Sequence, residues 1–205
     1  MVSRRRHAHV IRRALDVLVA AAALTVLSVP LTVICVLIRL ESPGSPIYRQ
    51  RRVGKDGREF DVLKLRTMVR GAENMGAGIF IDKNDSRITR LGWWLRAWSI
   101  DELPQLVNVL RGDMSLIGPR PTIPEQVAAY TERQRGRLAV RPGLTGWAQV
   151  SGRASIPWPE RIELDLWYLE HRSLRLDLKI LWRSVKVVLA RDGTYHTGES
   201  REWPA

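Results

Sequence analysis

Two adjacent carboxylates, Asp101 and Glu102, are the residues of this chain whose types and neighbours best suit chemistry. They lie in the octapeptide 99–106, and a run rich in glycine, proline and arginine follows at 111–121. A carboxylate can attack a phosphorus atom or hold a metal ion, and an arginine can neutralise the charge of a phosphate. The combination therefore favours chemistry on a phosphate group.

The same octapeptide also has a purely structural interpretation. Ser99 and Glu102 have the spacing of a helix capping box, in which side chains bond the free amides of a first helical turn. Pro104 is well tolerated in a first turn, so both interpretations predict a helix that begins here. They are compatible, because the N-terminus of a helix also attracts anions.

The composition indicates anionic partners. The chain has 205 residues, a formal net charge of +12 and a pI of about 10.9, which suits binding to phosphate groups, acidic lipid or nucleic acid. This length suits one domain plus an appendage. The single cysteine, Cys35, rules out a disulfide within these residues, and the four histidines lack the spacing of a structural zinc site.

Residues 17–38 form an uncharged apolar run that predicts a membrane segment. As a helix rising about 1.5 Å per residue it would reach roughly 33 Å, close to the ~30 Å hydrocarbon core of a bilayer. The run is longer than the apolar part of a secretory signal, and Arg39 closes it, which argues against a cleaved signal.

The topology of this segment has two solutions. The positive-inside rule keeps arginine-rich flanks in the cytoplasm, and here both flanks are arginine-rich, which argues against crossing. Pro30 removes one backbone hydrogen bond, and Ser28 can supply a replacement partner, so a helix that bends and returns to the same face is one solution. A straight spanning helix is the other. The flanking residues are Arg4, Arg5, Arg6, Arg12, Arg13, Arg39, Arg49, Arg51 and Arg52.

The rest of the chain predicts a mostly helical α+β domain. Residues 48–54 and 59–68 predict two short strands, joined by a turn at 55–57. A long loop is expected at 68–84. Residues 86–97 predict a helix with tryptophan and arginine, either packed on the core or lying in the membrane interface.

Three segments complete the domain. Residues 178–191 place apolar side chains at helical spacing with cations opposite, which predicts an amphipathic helix, packed on the core or lying on a bilayer. Residues 140–153 contain three glycines and a proline, so we expect irregular backbone that either cradles an anion or merely connects two elements. Residues 192–205 lack a core pattern and predict a tail.

Taken in order, the motifs of this chain resemble those of the small monotopic polyprenyl-phosphate phosphoglycosyl transferases, a group of bacterial sugar transferases. The resemblance runs from about Arg12 to Leu189, and although each motif alone is weak, the ordered set is specific. The motifs are Arg12-Arg-Ala-Leu-Asp16, Ser42-Pro-Gly44, Tyr48-Arg-Gln50, Arg52-Val-Gly54, Lys64-Leu-Arg-Thr-Met68, Asp85-Ser-Arg-Ile-Thr-Arg90, Asp101-Glu-Leu-Pro-Gln-Leu106, Gly112-Asp-Met-Ser115, Gly118-Pro-Arg-Pro121, Arg141-Pro-Gly143, Thr145-Gly-Trp-Ala-Gln149 and Asp177-Leu-Lys-Ile180.

The resemblance implies a fold and a location. It implies a re-entrant membrane helix hinged near Ser28 and Pro30, and a compact domain with amphipathic interfacial helices and a short β-hairpin, on the cytoplasmic face of the bacterial inner membrane. The implied divisions are a basic N-terminal segment (1–13), the re-entrant helix (14–40), the catalytic domain (41–191) and the tail (192–205).

The resemblance also implies a reaction. A nucleoside diphosphate-sugar, with a UDP-sugar as the first candidate, gives its sugar-1-phosphate to polyprenyl phosphate, and a nucleoside monophosphate leaves. In the family an aspartate becomes covalently modified by the phosphosugar and Mg²⁺ is needed. Carried over, Asp101 is the nucleophile and Glu102 is the Mg²⁺ ligand or the acid/base partner. The phosphate-binding candidates, from motif match and charge together, are Lys64, Arg66, Arg96, Arg120 and Arg153.

Charge arithmetic supports these assignments. Two like unit charges 4 Å apart repel by about 4 kcal/mol at an effective dielectric near 20, so a carboxylate that approaches a diphosphate needs cations around it. Two other classes compete: a basic membrane-surface or nucleic-acid-binding protein without catalysis, and a glycosyltransferase that releases nucleoside diphosphate. A common nucleic-acid motif is lacking, so the expected partners are the nucleotide-sugar, polyprenyl phosphate and the membrane, and not nucleic acid.

Overall fold

The computed structural model describes residues 2–75, 85–152 and 155–190, with side chains from Val10 onward. Arg153, the predicted tail at 192–205 and positions 76–84 of the predicted loop lie outside the described residues. In chain order the elements are α1 (Val2–Glu41), β1 (Ile47–Val53), β2 (Glu59–Leu65), α2 (Arg90–Ala97), α3 (Gln105–Arg111), β3 (Ser115–Ile117), α4 (Pro124–Ala128), α5 (Glu132–Arg135), β4 (Gly143–Thr145), α6 (Trp147–Ser151), α7 (Trp158–Glu170) and α8 (Leu174–Ala190). The mostly helical α+β prediction is confirmed.

The predicted hairpin is present. β1 and β2 pair antiparallel from Ile47 opposite Leu65 to Val53 opposite Glu59. A single 3-10 turn, Lys55–Gly57, joins them, and Gly57 has a φ of 77°, a left-handed conformation that glycine adopts without strain. β2 carries Lys64 toward the acidic pair.

The predicted helix at 86–97 begins later, at Arg90. The reason is local, because the Thr89 side chain accepts a hydrogen bond from the Gly92 amide at 3.0 Å and so caps the helix at its true start. Gly92 packs hard on the end of β2, where an added Cβ would lie 2.0 Å from the Thr67 carbonyl oxygen. This contact fixes α2, and with it Arg96, against the strand that carries Lys64.

The capping box predicted at Ser99 and Glu102 is wrong. Ser99 has a φ of 55° and its side chain makes no capping bond, while Ile100–Glu102 forms a 3-10 turn and α3 starts only at Gln105. The Glu102 carboxylate instead bonds two cationic side chains from other elements, and its two-pronged bond to a guanidinium adds geometric fit to the attraction of opposite charges.

The glycine-rich stretch at 140–153 is more regular than predicted. β4 pairs parallel with β3, with Ser115 opposite Gly143 and Ile117 opposite Thr145, and α6 follows at once. The glycines allow close backbone contact, because a Cβ on Gly143 would lie 2.1 Å from the Gly118 amide nitrogen. This contact anchors the start of residues 118–122, which we call the Arg120 loop.

Polar side chains near the start of α1 dock this helix on the domain. Arg13 donates to the carbonyl oxygens of Val109 and Leu110, at 2.6 and 3.0 Å. Arg12 Nε donates to Asp177 Oδ2 at 2.7 Å. Asp16 accepts from Ser115 Oγ at 2.7 Å and from the Leu116 amide at 3.0 Å. We call Arg12, Arg13 and Asp16 the polar clamp, and its contacts explain why the basic pair and the aspartate occur together.

The apolar part of α1 lies lengthwise on the domain. Ala20 joins the core that holds Phe60 and Val109, and Ile38, 18 positions later, joins the core that holds Leu65 and Leu95. The opposite face exposes apolar side chains, among them Leu18, Val26, Val29, Val33 and Leu40. Val10–Glu41 is long and apolar enough to cross a membrane, and it is the one such helix in the described part of the chain.

Pro30 and Ser28 both lie within α1, which has helical backbone throughout. Pro30 cannot donate to the Val26 carbonyl, four residues earlier. Ser28 was expected to bond a carbonyl that Pro30 leaves free. Its hydroxyl instead donates to the carbonyl of Thr25, the residue before Val26, at 2.8 Å.

The last helix, α8, begins at Leu174 rather than at the predicted position 178. Ser173 Oγ accepts a hydrogen bond from the Leu176 amide at 3.2 Å and supplies the earlier start. Ile180 is buried, whereas Leu178, Trp182 and Leu189 are exposed, so the helix packs one face on the domain and leaves an apolar stripe uncovered.

Candidate active site

The two adjacent acids differ sharply in their surroundings. Asp101 is 8% exposed, and no residue in the described part of the chain donates a hydrogen bond to its carboxylate. Burial, and then the negative charge of Glu102, raise the pKa of Asp101 to about 6, against the opposing effects of Lys64, Arg96 and Arg120. Asp101 is therefore a buried carboxylate that faces cations without being bonded to them.

Glu102 is the member of the pair whose negative charge is balanced by bonded cations. Arg120 bonds it through both nitrogens, Nη2 to Oε1 at 2.6 Å and Nη1 to Oε2 at 3.3 Å, and Lys64 Nζ lies 3.2 Å from Oε1. Burial alone would raise the pKa of Glu102, but the charges and hydrogen bonds of Arg120 and Lys64 outweigh it and hold the pKa well below its ordinary value. Glu102 stays ionised and ties a strand and a loop to the turn that carries Asp101.

Three of the predicted phosphate-binding residues meet at this pair. Lys64 comes from β2, Arg120 from the Arg120 loop and Arg96 from the last turn of α2. Arg96 Nε donates to Thr67 Oγ1 at 2.7 Å, which holds its guanidinium beside the end of β2. The structure thus gathers cations from three separate segments around two consecutive carboxylates.

Arg66 is placed elsewhere. Its guanidinium donates to the carbonyl oxygens of Ile38, Ser42 and Pro43, at and just beyond the C-terminus of α1. The free carbonyls of a helix end attract a cation, which gives this side chain a structural partner away from Asp101. Arg153 lies outside the described residues, so its relation to the pair stays a prediction.

Two arginines near the site were not among the predicted site residues. Arg52 donates to the Pro121 carbonyl at 3.3 Å and to Gln50 Oε1 at 2.6 Å, and burial, then the charge of Arg120, lower its pKa to about 10. Burial and Arg120 also lower the pKa of Arg161 to about 10. Arg52 occurs in a quoted motif, but nothing in the sequence marks Arg161, which approaches Arg120 only through the packing of α7.

The acids suit a Mg²⁺ ion shared with a substrate better than an ion caged by protein alone. In the described residues, no group of three or more histidine, cysteine or acidic side chains could hold a metal. Mg²⁺ in phosphate enzymes is commonly bound by one or two carboxylates together with substrate phosphates and water. Asp101 and Glu102 would supply the carboxylates of such a site. Since Arg120 and Lys64 already bond Glu102, an ion bound there would share an oxygen with one of them.

The chain is similar to bacterial sugar transferases over most of its length. A family model described as bacterial sugar transferase matches residues 7–191. The chain is 41% identical over 189 residues to the uncharacterized sugar transferase EpsL of Bacillus subtilis, and the match covers 92% of each chain. It is 48% identical over 194 residues to the UDP-glucose:undecaprenyl-phosphate glucose-1-phosphate transferase of Caulobacter vibrioides, covering 90% of this chain and 72% of that relative.

A third relative differs in length and in the sugar that its name specifies. The chain is 40% identical over 199 residues to the UDP-galactose-lipid carrier transferase of Erwinia amylovora, covering 90% of this chain but 42% of that protein. The chain therefore spans nearly all of the Bacillus relative and less than half of the Erwinia relative.

Proposed function

This chain belongs to the bacterial sugar transferase family, and from that membership we propose that it transfers a sugar-1-phosphate from a UDP-sugar to polyprenyl phosphate and releases UMP. The reaction would be the first membrane step of a glycoconjugate or exopolysaccharide pathway. The observation that carries the proposal is the contrast between the two acids, with Glu102 bonded by two cations and Asp101 free of hydrogen bonds from the described residues.

The chemistry follows in two displacements at one phosphorus atom. In the first, an Asp101 carboxylate oxygen attacks the sugar-bearing phosphorus of the UDP-sugar, the bond to the bridging oxygen breaks, and UMP leaves with the electron pair. In the second, an oxygen of polyprenyl phosphate attacks the same phosphorus and expels the Asp101 carboxylate. The products are UMP and a polyprenyl diphosphate-sugar. Two half-reactions allow a soluble and a lipid substrate to use one site in turn.

The cations around the pair suit both displacements. Lys64, Arg96 and Arg120 all favour the ionised form of Asp101, which is the form that attacks. The same positive charge opposes the repulsion of about 4 kcal/mol that a carboxylate meets 4 Å from a phosphate charge. Arg120 can also bond phosphate oxygens in the two-pronged manner in which it bonds Glu102.

The direct test is the identity of the released nucleotide. Purified protein in detergent would be incubated with undecaprenyl phosphate and a panel of UDP- and GDP-sugars, and we expect UMP release with one or a few of the UDP-sugars. Release of UDP would instead indicate a glycosyltransferase that attacks the anomeric carbon. An absence of any nucleotide release across the panel would favour a membrane-binding protein without catalysis.

Glu102→Gln tests the proposed Mg²⁺ requirement. When bound, Mg²⁺ would supply charge neutralisation at the diphosphate, and Glu102 would hold it. We expect turnover to fall by about 100-fold or more and the Mg²⁺ concentration for half-maximal rate to rise, because an amide is a weaker ligand than a carboxylate. Wild-type Mg²⁺ dependence in the variant would remove Glu102 from the metal site. Glu59→Gln, at an exposed position of β2, is the matched control.

We further propose that in the membrane α1 bends at Pro30, so that it enters the cytoplasmic leaflet of the inner membrane and returns, with the domain on the cytoplasmic face. The polar clamp docks one end of α1 on the domain, and Ile38 docks the other end on the same domain. A helix that crossed a bilayer would leave one of its ends on the far side of the lipid, where it could not contact a domain that lies on the near side. The uncovered apolar stripe of α8 suits the same membrane surface, because cations flank it.

Cysteine labelling tests this topology. In a Cys35→Ala background, Arg5→Cys and Ser45→Cys would each be probed with a membrane-impermeant maleimide. We expect both cysteines to be shielded in intact cells and labelled after the cells are opened. Arg58→Cys, on the exposed turn of the hairpin, reports the side on which the domain lies. Labelling of the residue-5 cysteine from outside, with the residue-45 cysteine still shielded, would establish a spanning helix.

A further inference from the structure

A fully buried ion pair lies behind the Arg120 loop. Arg137, on the 3-10 turn Gly136–Ala139, pairs with Asp165 of α7, and their side chains are only 3% and 2% exposed. A second Arg137 nitrogen, Nη1, donates to the Tyr130 hydroxyl, and that hydroxyl lies 3.1 Å from Thr122 Oγ1. We call Arg137, Asp165 and Tyr130 the Arg137 cluster.

The Arg137 cluster reaches the loop through its backbone. Arg137 Nη2, the nitrogen that bonds Asp165, also donates to the carbonyl oxygen of Arg120 at 3.1 Å. On the other side of that same residue, the Arg120 guanidinium bonds Glu102. The buried Arg137 guanidinium therefore holds the main chain of Arg120, while the Arg120 guanidinium balances the charge of Glu102, next to Asp101.

Around Arg120 the loop is held mainly through its carbonyl oxygens. Pro119 and Pro121 lack an amide hydrogen, so the residues on either side of Arg120 cannot donate backbone hydrogen bonds. The loop is instead anchored by its carbonyls, and all four from 119 to 122 accept a hydrogen bond. The donors are the Gly143 amide to Pro119 at 2.9 Å, Arg137 Nη2 to Arg120 at 3.1 Å, Arg52 Nη1 to Pro121 at 3.3 Å and the Val53 amide to Thr122 at 2.8 Å.

Stability alone does not account for the pair. Replacement of a buried ion pair by apolar side chains of similar volume is often neutral for folding, since desolvation of the two charges offsets their attraction. The pair also leaves two buried atoms, Arg137 Nε and Asp165 Oδ1, without a hydrogen-bond partner. An apolar pair could fill this space, but it could not donate a hydrogen bond to the Arg120 carbonyl.

We propose that Arg137 is a positioning residue for the active site: it fixes the main chain at Arg120 so that the Arg120 guanidinium stays on Glu102 and beside the reacting phosphate. The proposal rests on the proposed function. Asp165 and Tyr130 serve it by orienting the Arg137 guanidinium. Displacement of a catalytic group by about 1 Å can lower a rate by roughly 100-fold, so loss of this one bond is expected to matter.

The test replaces the ion pair without leaving a buried charge behind. The double variant Arg137→Met/Asp165→Leu is expected to keep its melting temperature within a few degrees of the wild type while kcat/KM falls by about 10- to 100-fold. The matched control is Arg133→Met/Glu163→Leu, because this pair joins α5 to the same helix, α7, but its side chains are 66% and 53% exposed and do not contact the loop. The control is expected to stay within about twofold of the wild type.

A cycle with Arg120→Lys separates positioning from general support of the fold. If Arg137 acts through Arg120, replacement of the buried pair should lower kcat/KM by no more than about threefold once residue 120 is lysine, because the affected guanidinium is gone. Equal losses in both backgrounds would show a structural role and overturn the proposal. So would full activity in the pair variant.

Folding of the variants and activity of the wild type are judged separately. If the double variant does not fold, Tyr130→Phe removes only a hydroxyl, which bonds Arg137 and Thr122, and is expected to lower kcat/KM by roughly 3- to 10-fold while the melting temperature falls by only a few degrees. Unchanged kcat/KM in that variant would count against the proposal. A wild-type chain that released no nucleotide would refute the proposed function, whereas an active wild type beside an equally active pair variant would refute only the role of Arg137.

Discussion

Asp101→Asn is expected to lower turnover by at least about four orders of magnitude and to abolish the covalent phosphosugar adduct, because an amide cannot form the acyl phosphate. The measurement is UMP release together with the intact mass of the protein after incubation with the UDP-sugar alone. Asp61→Asn, at a half-buried position of β2 whose carboxylate pairs with Arg51, is the matched control and should retain activity. Substantial turnover in purified Asp101→Asn protein would remove Asp101 from the role of nucleophile.

The same substitution is expected to stabilise the fold at neutral pH. The pKa of Asp101 is raised from its ordinary value to about 6 in the folded state, so ionisation of Asp101 at pH 7 to 8 favours unfolding. Asparagine carries no charge to desolvate, so the variant should melt at a higher temperature than the wild type at pH 7.5. The difference should shrink as pH falls from about 6 to below 4, where the aspartate is protonated in both states. Melting curves with a chelator present measure this.

Arg120→Ala is expected to lower kcat/KM by about 100- to 1,000-fold, the usual effect of removing one charged donor from a reacting centre. The loss removes the two-pronged bond to Glu102 and a guanidinium that favours ionisation of Asp101. Activity and melting temperature would be measured together. Arg133→Ala, which breaks the exposed pair with Glu163, is the control for loss of an arginine as such. A fall in melting temperature that accounts for the lost activity would show that Arg120 serves mainly as a structural ion-pair partner.

The parts of the site that sequence could predict are those that lie close together in the chain. Asp101 and Glu102 are neighbours, and the motif that carries Arg120 follows within 20 positions, so type and spacing were enough to predict the acids and one cation. The hairpin was predictable for the same reason, since its turn and alternation are local.

The failures come from partners that local sequence does not reveal. Ser99 and Glu102 have capping-box spacing, yet Lys64 and Arg120 bond the Glu102 carboxylate. Arg66, a phosphate-binding candidate, donates to the free carbonyls at the end of α1, and nothing in the sequence indicates those partners. Tertiary contacts decided both cases, and pattern alone cannot rank such competitors.

The polar clamp has a consequence for the order in which this protein assembles. Arg12 and its partner Asp177 are 165 residues apart, and Arg13 bonds a carbonyl 96 residues away, so these partners do not yet exist when α1 is synthesised. At roughly 5 to 20 residues per second, Asp177 emerges about 8 to 33 seconds after Arg12. Until Asp177 has been made, the polar clamp is incomplete and the start of α1 lacks one of its anchors on the domain. Because Asp16 also anchors β3, from which the Arg120 loop leads, docking of α1 on the domain and assembly of the cations around the acidic pair are linked.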